Sequence, residues 1–436
     1  MDGLIQPGQR LRMERGGGAM LVVENRLGEG SQGVVHRARL DGAPFAVKWF
    51  RPGPGEEKMR KSITELIRRG RPPHRAFVWP IDLLSCDQMA GFGYVMPLVE
   101  PRFASLAPLL NLETAPSFRG IATIGRDLVD AFAALHASGL CYRDISFGNL
   151  RVDQNACEIA IIDVDNVGVD GAPTQVKGTV PFMAPEVLRN KAFPSTVTDL
   201  HSLAVMLFYV LVHGHPLLGI RADASYTWEH GRMSEMEVLV RNLGEDPLFI
   251  FDPDDRSNGP VPGDSVIGWW STYPEQIRRV FTQAFTKGLH DASLNGRVLE
   301  GTWRRVLLCL HDCVSSCAGC GAPVYYDLER TGQRCWLCSA VLRVPPTLKA
   351  PGGTLVLSEG AKVTSHHLHR DRDHRTACGM IEEHPGRPGR VVMRNLTNRT
   401  WTVAPDGEEP KRVAPSQRLA VRPMLIDFGT AHGRIL

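Results

Sequence analysis

The chain carries almost no excess charge. Its 436 residues include 50 Lys and Arg against 47 Asp and Glu, which leaves +3 at pH 7. That balance gives no overall electrostatic case for nucleic-acid binding, although charge can still be concentrated locally. Long apolar runs are lacking too. The longest, LAVMLFYVLV at 203–212, falls well short of a membrane-spanning helix. The opening MDGLIQPGQR is polar and has no apolar stretch of the secretory kind, so a soluble, cytoplasmic protein without a membrane partner is expected. No internal repeat is visible. With 43% apolar and 22% charged residues, disordered, collagen-like and coiled-coil chains are excluded. At roughly 100–200 residues per domain, the length implies two or three domains.

What is present is patterned. VVENRLGEG, GVVHRARL, PFAVKWF and GFGYVMPL alternate or are rich in β-branched residues, and they predict strands over 21–100. Among them, GEEKMRKSITELIRRG sets Met59, Ile63, Leu66 and Ile67 at helical spacing and stops at Gly70. Helices are predicted over 112–138, 199–212 and 274–313, with a long surface loop over 251–273. A Pro- and Gly-containing linker is predicted over 343–353. After it, GTLVLS, RVVMRNL, RTWTV, KRVAP, RLAVR and MLIDFG predict a small all-β module over 354–436. The stretch 341–436 carries 15 Lys and Arg against 9 Asp and Glu, whereas the residues before it are slightly acidic.

Chemistry concentrates at a few places. Gly28, Gly30 and Gly33 lie between two predicted strands, where bare backbone can approach phosphate. A dinucleotide fingerprint would open a helix after the last glycine; here VVHRA continues as strand, which points to a phosphate-covering hairpin. Lys48 ends an apolar strand, and an ammonium there needs a partner. Glu65 on the amphipathic helix is the natural one. Further on stand Tyr142-Arg143-Asp144, Asn149, Asp163, Gly178-Thr179 and Met183-Ala-Pro-Glu186.

In the order and spacing of these motifs, 21–312 resembles the protein kinases of the eukaryotic-like superfamily. The resemblance implies an α+β, bilobal fold with an N-lobe of about 21–100, a C-lobe of about 101–312 and an extension over 1–20. It implies that Gly28, Gly30 and Gly33 cover the phosphates of ATP. Lys48, held by Glu65, would contact the α- and β-phosphates. Asp144 would accept the proton of a substrate hydroxyl, and Asn149 and Asp163 would hold Mg²⁺. Val35, Ala46 and Met96 would line the adenine pocket, with Pro97–Val99 as its hinge. His136 reads as a core histidine, Asp199 as a brace for the catalytic loop, and Glu186 as the partner of Arg297.

Several positions depart from that pattern. Ser146 stands where Ser/Thr kinases usually carry a lysine, and Lys177 is a candidate replacement. Asp163-Val164-Asp165 replaces Asp-Phe-Gly, so Asp165 rivals Asp163 as a metal ligand; alternation through Ile159 and Ile161 favours Asp163. Arg151 occupies the usual apolar adenine floor. Ile426-Asp427-Phe428-Gly429 spells the metal-binding triplet but follows the catalytic loop far too late, and reads as a strand end. Thr174 is the candidate phosphosite of the activation segment, with Arg143 as its partner.

Six of the ten cysteines fall within 309–338. Cys317, Cys320, Cys335 and Cys338 form two Cys-x-x-Cys knuckles, the spacing of a closed Cys₄ zinc ribbon, expected over 313–342. Cys309 and Cys313 read as helix core. The run His366, His367, His369, His374 and Cys378 lacks paired spacing and reads as an exposed loop. The β module resembles forkhead-associated domains in Arg394-Asn-Leu and Ile426-Asp-Phe-Gly, with an oligonucleotide-binding-type barrel as the alternative. Its charge suits a phosphorylated or acidic ligand. The expectation is therefore a bacterial-type Ser/Thr protein kinase using ATP, Mg and Zn on a protein substrate, with autophosphorylation. By analogy, a phosphatase and a von Willebrand-type protein are partners. The alternatives are an ATP-binding pseudokinase scaffold and a small-molecule kinase of the aminoglycoside type, the latter disfavoured by Met183-Ala-Pro-Glu186.

Overall fold

A computed structural model describes residues 4–30, 32–53, 55–111, 113, 116–174, 176–228, 234–387 and 389–436. The chain divides into two compact units. One comprises Met1–Ala115, Asp127–Pro262 and Phe281–Gly301; the other comprises Pro116–Arg126, Gly263–Val280 and Thr302–Leu436.

The first unit begins with six strands: β1 (Arg10–Met13), β2 (Met20–Glu29), β3 (Gly33–Leu40), β4 (Ala43–Phe50), β5 (Asp82–Cys86) and β6 (Met89–Pro97). Alternate residues such as Leu21, Val23, Val47 and Trp49 point into one core, which Ile5 and Leu11 join. The expected extension over 1–20 is therefore corrected. β1 pairs with β2 on one side and with β5 on the other, closing the sheet into a barrel. Buried Asp82 pins the turn after β1 by accepting the backbone N–H groups of Arg15 and Gly16 at 2.8 and 2.9 Å.

Helix α1 (Glu56–Arg69) carries Glu56 and Glu57 in its first turn and Arg68 and Arg69 in its last, matching the helix dipole. It buries Ile63, Leu66 and Ile67, and Gly70 at φ 77° stops it. The expected helix over 112–138 is Phe118–Ala137; Leu112, Thr114 and Ala115 lie outside the described residues. A hairpin of Leu150–Asp153 and Glu158–Ile161 follows the catalytic loop. The helix Thr196–Val212 starts in a capping box of Ser195 and Thr198 and is buried along nearly its whole length. Phe208 on it meets Phe281 and Phe285 edge-on at 5.1 and 5.9 Å.

In the second unit the expected loop over 251–273 contains a helix, Ser265–Thr272, N-capped by Asp264. Tyr325 stacks between Phe118 and Tyr273, with centroids 4.5 and 5.3 Å away. The C-terminal residues form two separate antiparallel sheets, one of six strands and one of four. A shared core lies between them, with Leu348, Val363, Met393, Trp401 and Phe428 among its members. This is a two-sheet arrangement, not a closed barrel of the oligonucleotide-binding type. The expected linker over 343–353 is also corrected. Thr347–Ala350 is a strand, paired with Gly353–Val356 and with His432–Ile435. The histidine run is a loop only around His374, and His369 alone of its histidines is exposed. Ser365–His369 is a short helix in which His367 closes a capping box with Thr364, is buried, and lies 3.0 Å from Asp312. Among the described residues no helix is long and apolar enough to cross a membrane.

Candidate active site and cysteine centre

In the first unit the β2–β3 turn is tight, with Gly30 N donating to Gly33 O at 2.9 Å. A Cβ on Gly33 would lie 2.1 Å from Trp49 O, so only glycine fits. At Gly28 and Gly30 a Cβ would meet nothing within 4 Å, so the surface of the hairpin is uncovered there. Val35 sits opposite Lys48, Ala46 opposite Met96 and Phe45 opposite Pro97, which puts the expected adenine-pocket residues on neighbouring strands. Val99 follows the end of β6.

Lys48 is the buried cation of the site. Its Nζ lies 2.7 Å from Asp163 Oδ1 and 3.0 and 2.9 Å from the two oxygens of Asp165. Burial works against the ammonium, but the charges of Asp165 and Asp163 outweigh it and raise its pKa. Tyr94 donates its hydroxyl to Asp165 at 3.2 Å. Glu65 does not hold the lysine. It is exposed and pairs with Arg69 along the helix at 3.8 Å. The α1 residues that line the cleft are Glu56, Lys58, Met59 and Ser62. Spacing had placed Glu65 on the right element, but the way the helix is turned sends it elsewhere.

The catalytic loop is held from beneath. Asp199 accepts the backbone N–H groups of Tyr142 and Arg143 at 2.5 and 3.0 Å, and His136 Nε2 approaches it at 3.2 Å. Burial opposes a charge on His136, but its bonds to Asp199 and Glu300 prevail and raise it to about 9. Above this brace, Asp144 Oδ1 accepts from Thr179 Oγ1 at 2.7 Å. Its Oδ2 accepts from Asn149 Nδ2 and Asn166 Nδ2 at 3.2 and 3.4 Å. Three donors thus orient a carboxylate whose remaining lone pairs can take a proton. Asp163 keeps 38% of its side chain exposed while Asp165 has none, so Asp163 is the more open carboxylate. Gly178, at φ 96°, lets the following segment approach the loop; a Cβ there would sit 2.9 Å from Arg143 O.

A cavity of about 580 Å³ runs past Asp144, Asp165, Thr174 and Lys177. Thr174 Oγ1 accepts from Val176 N at 3.1 Å. Arg143, its expected partner, donates to Val169 O at 3.0 Å, and Lys177 donates to Asn190 at 2.6 Å. Arg151 donates to Gly148 O and Leu150 O. Tyr94 and Asn166 escaped the sequence reading. Their signals were a hydroxyl in an apolar strand and an amide directly after the Asp-Val-Asp triplet.

This constellation agrees with a model of the protein kinase domain that matches residues 21–249. The chain belongs to the protein kinase family. It is 28% identical over 204 residues to the serine/threonine-protein kinase oca2 of Schizosaccharomyces pombe, covering 44% of this chain and 30% of that one. It is 28% identical over 190 residues to serine/threonine-protein kinase 40 of Gallus gallus, covering 38% and 42%. With ribosomal protein S6 kinase alpha-4 of Mus musculus the figures are 30% over 195 residues, covering 41% and 23%. The matched part spans less than half the length of each of these relatives.

The other unit holds the cysteine centre. Cys317, Cys320, Cys335 and Cys338 bring their sulfurs within 4.8 Å of one another. Cys317 and Cys338 are 3.6 Å apart, and Cys320 and Cys335 are 3.7 Å apart. Four thiolates at about 2.3 Å from one zinc would be about 3.8 Å apart in a tetrahedron, so the donor set fits. Backbone N–H groups of Cys320 and Gly319 pull the Cys317 thiol down to about 7, easing thiolate formation.

Proposed function

We propose that the protein is a Ser/Thr protein kinase that transfers the γ-phosphate of ATP to a protein hydroxyl. The observation that carries this reading is one bonded set beside a cleft: Asp144, oriented by three donors that include Asn149, lines it together with Asp165, which holds Lys48 next to Asp163. Mg·ATP, when bound, supplies the transferable phosphoryl group and the cations that neutralise its charge. The residues present fit it. Gly28 and Gly30 leave an uncovered surface over which phosphates can lie, Lys48 offers one ammonium, and Asp163 and Asn149 offer hard oxygen ligands. Asp144 orients the substrate hydroxyl and accepts its proton. Thr174, in the same cleft, is the proposed site of autophosphorylation. Ser146 supports the second reading, an ATP-binding scaffold, because no lysine occupies that place in the loop.

We assign zinc to the four cysteines as a structural ribbon, with a reducing, cytoplasmic location. The two-sheet module is forkhead-associated-like, and its net positive charge suits a phosphorylated or acidic ligand. The suggested phosphatase and von Willebrand-type partners rest on analogy alone. Intact mass spectrometry tests the central claim. After phosphatase treatment, Mg·ATP should add whole phosphoryl masses to the wild type and none to Asp144→Asn. If the wild type binds ATP but modifies neither itself nor any offered protein, the scaffold reading replaces it.

A further inference from the structure

Resting on the kinase reading, we propose that Asp165 is the positioning residue for Lys48, in the place that the family resemblance gives to Glu65. A cation that meets nucleotide phosphates must be held in one rotamer, and a long flexible side chain needs a fixed anion to do that. Asp165 has the required properties. Both of its oxygens lie within hydrogen-bond distance of Lys48 Nζ, at 2.9 and 3.0 Å. Its side chain has no solvent exposure, and Tyr94 fixes it through a hydroxyl. Lys48 itself is 7% exposed and lies 5.7 Å from the ring centroid of Phe50.

The rival arrangement has α1 turn and deliver Glu65 to the lysine. On a helical wheel Glu65 lies roughly 60° from Ser62, which lines the cleft. A turn of that size would carry the buried stripe of Ile63, Leu66 and Ile67 away from its packing. Three further contacts oppose it. Trp79 Nε1 donates to Leu66 O at 3.1 Å, Arg60 pairs with Glu14, and Arg60 also lies over the ring of Phe92. The helix is locked with Glu65 outward. The lysine's counter-charge has moved onto the segment that carries Asp163, so one segment sets both the lysine and the metal-facing carboxylate.

The test uses full-length protein in four forms: wild type, Asp165→Asn, Asp165→Glu and Glu65→Gln. Steady-state kinetics with varied ATP should show kcat/KM falling about 10- to 100-fold in Asp165→Asn, the usual range for a lost supporting partner. Asp165→Glu should recover part of it, and Glu65→Gln should stay within about twofold of wild type. A second readout needs no catalysis: acylation of Lys48 by an amine-reactive reagent across pH, followed by peptide mass spectrometry. The ionisable groups facing Lys48 are Asp163 and Asp165, with Tyr94 behind them. Asp165→Asn should shift Lys48 labelling to lower pH, and Glu65→Gln should leave it unmoved. A Glu65→Gln loss as large as that of Asp165→Asn, or unchanged labelling in Asp165→Asn, overturns the proposal. If the wild type transfers no phosphate, the kinase reading fails, while the labelling still decides which carboxylate holds the lysine.

Discussion

Arg297 and Glu186 allow a quantitative test of what holds the helical part of the kinase domain together. One terminal nitrogen of Arg297 reaches both oxygens of Glu186, at 2.6 and 2.7 Å. The side chains are only 2% and 9% exposed. The other terminal nitrogen donates to Gly288 O and faces His201, whose pKa burial and the Arg297 charge push far down. Arg297→Met keeps the bulk but strands a buried carboxylate, which costs about 3–5 kcal/mol. For a domain of this size that lowers Tm by roughly 6–20 °C. Removing both charges, in Glu186→Gln with Arg297→Met, should return most of the loss, because no ion is left without a partner. Thermal unfolding by calorimetry, with the kinase transition identified by its response to Mg·ATP, gives the three numbers. A single variant within about 1 kcal/mol of wild type, or a double variant no better than the single one, would refute the stranded-charge argument.

Three further outcomes follow from the geometry. His136, raised from 6.5 to about 9, contributes stability that is fully present below pH 6.5 and is lost as pH rises through 9. The gap between wild type and His136→Gln in denaturant unfolding should therefore narrow over that window by up to about 3 kcal/mol, at 1.36 kcal/mol per pH unit. Metal analysis should find one zinc per chain. Its removal by a chelator should speed hydrogen exchange in the Val314–Ser316 and Pro323–Tyr325 hairpin, as should Cys335→Ser. Thr179→Val, which removes one donor from Asp144, should lower kcat about 10- to 100-fold and leave the KM for ATP within a factor of two.

The motifs of the kinase domain were legible because phosphate transfer demands particular side chains in a fixed order, and order is what a sequence displays. The partner of Lys48 was not. Spacing places Glu65 on α1, but the rotation of that helix is decided by Ile63, Leu66, Ile67 and Trp79, and no local pattern reports it. Asp165 was visible only as an oddity beside Asp163. β1 was missed because four residues, RLRM, become a strand only through pairing with β2 and β5, which are distant in part along the chain. Thr347–Ala350 was hidden by the prolines and glycines on either side of it. The histidine run misled for another reason: a buried histidine that caps a helix and faces Asp312 leaves the same trace in the sequence as an exposed one.

The closed N-terminal sheet also constrains how this kinase can be cut. The family match begins at residue 21, which invites truncation there. Such a cut would delete the strand that joins β2 to β5 and bare two rows of unpaired amides and carbonyls. It would also uncover the hollow that Ile5 and Leu11 fill. The shortened chain would recruit strands from its neighbours, so self-association on trimming would report lost closure, not a natural oligomer.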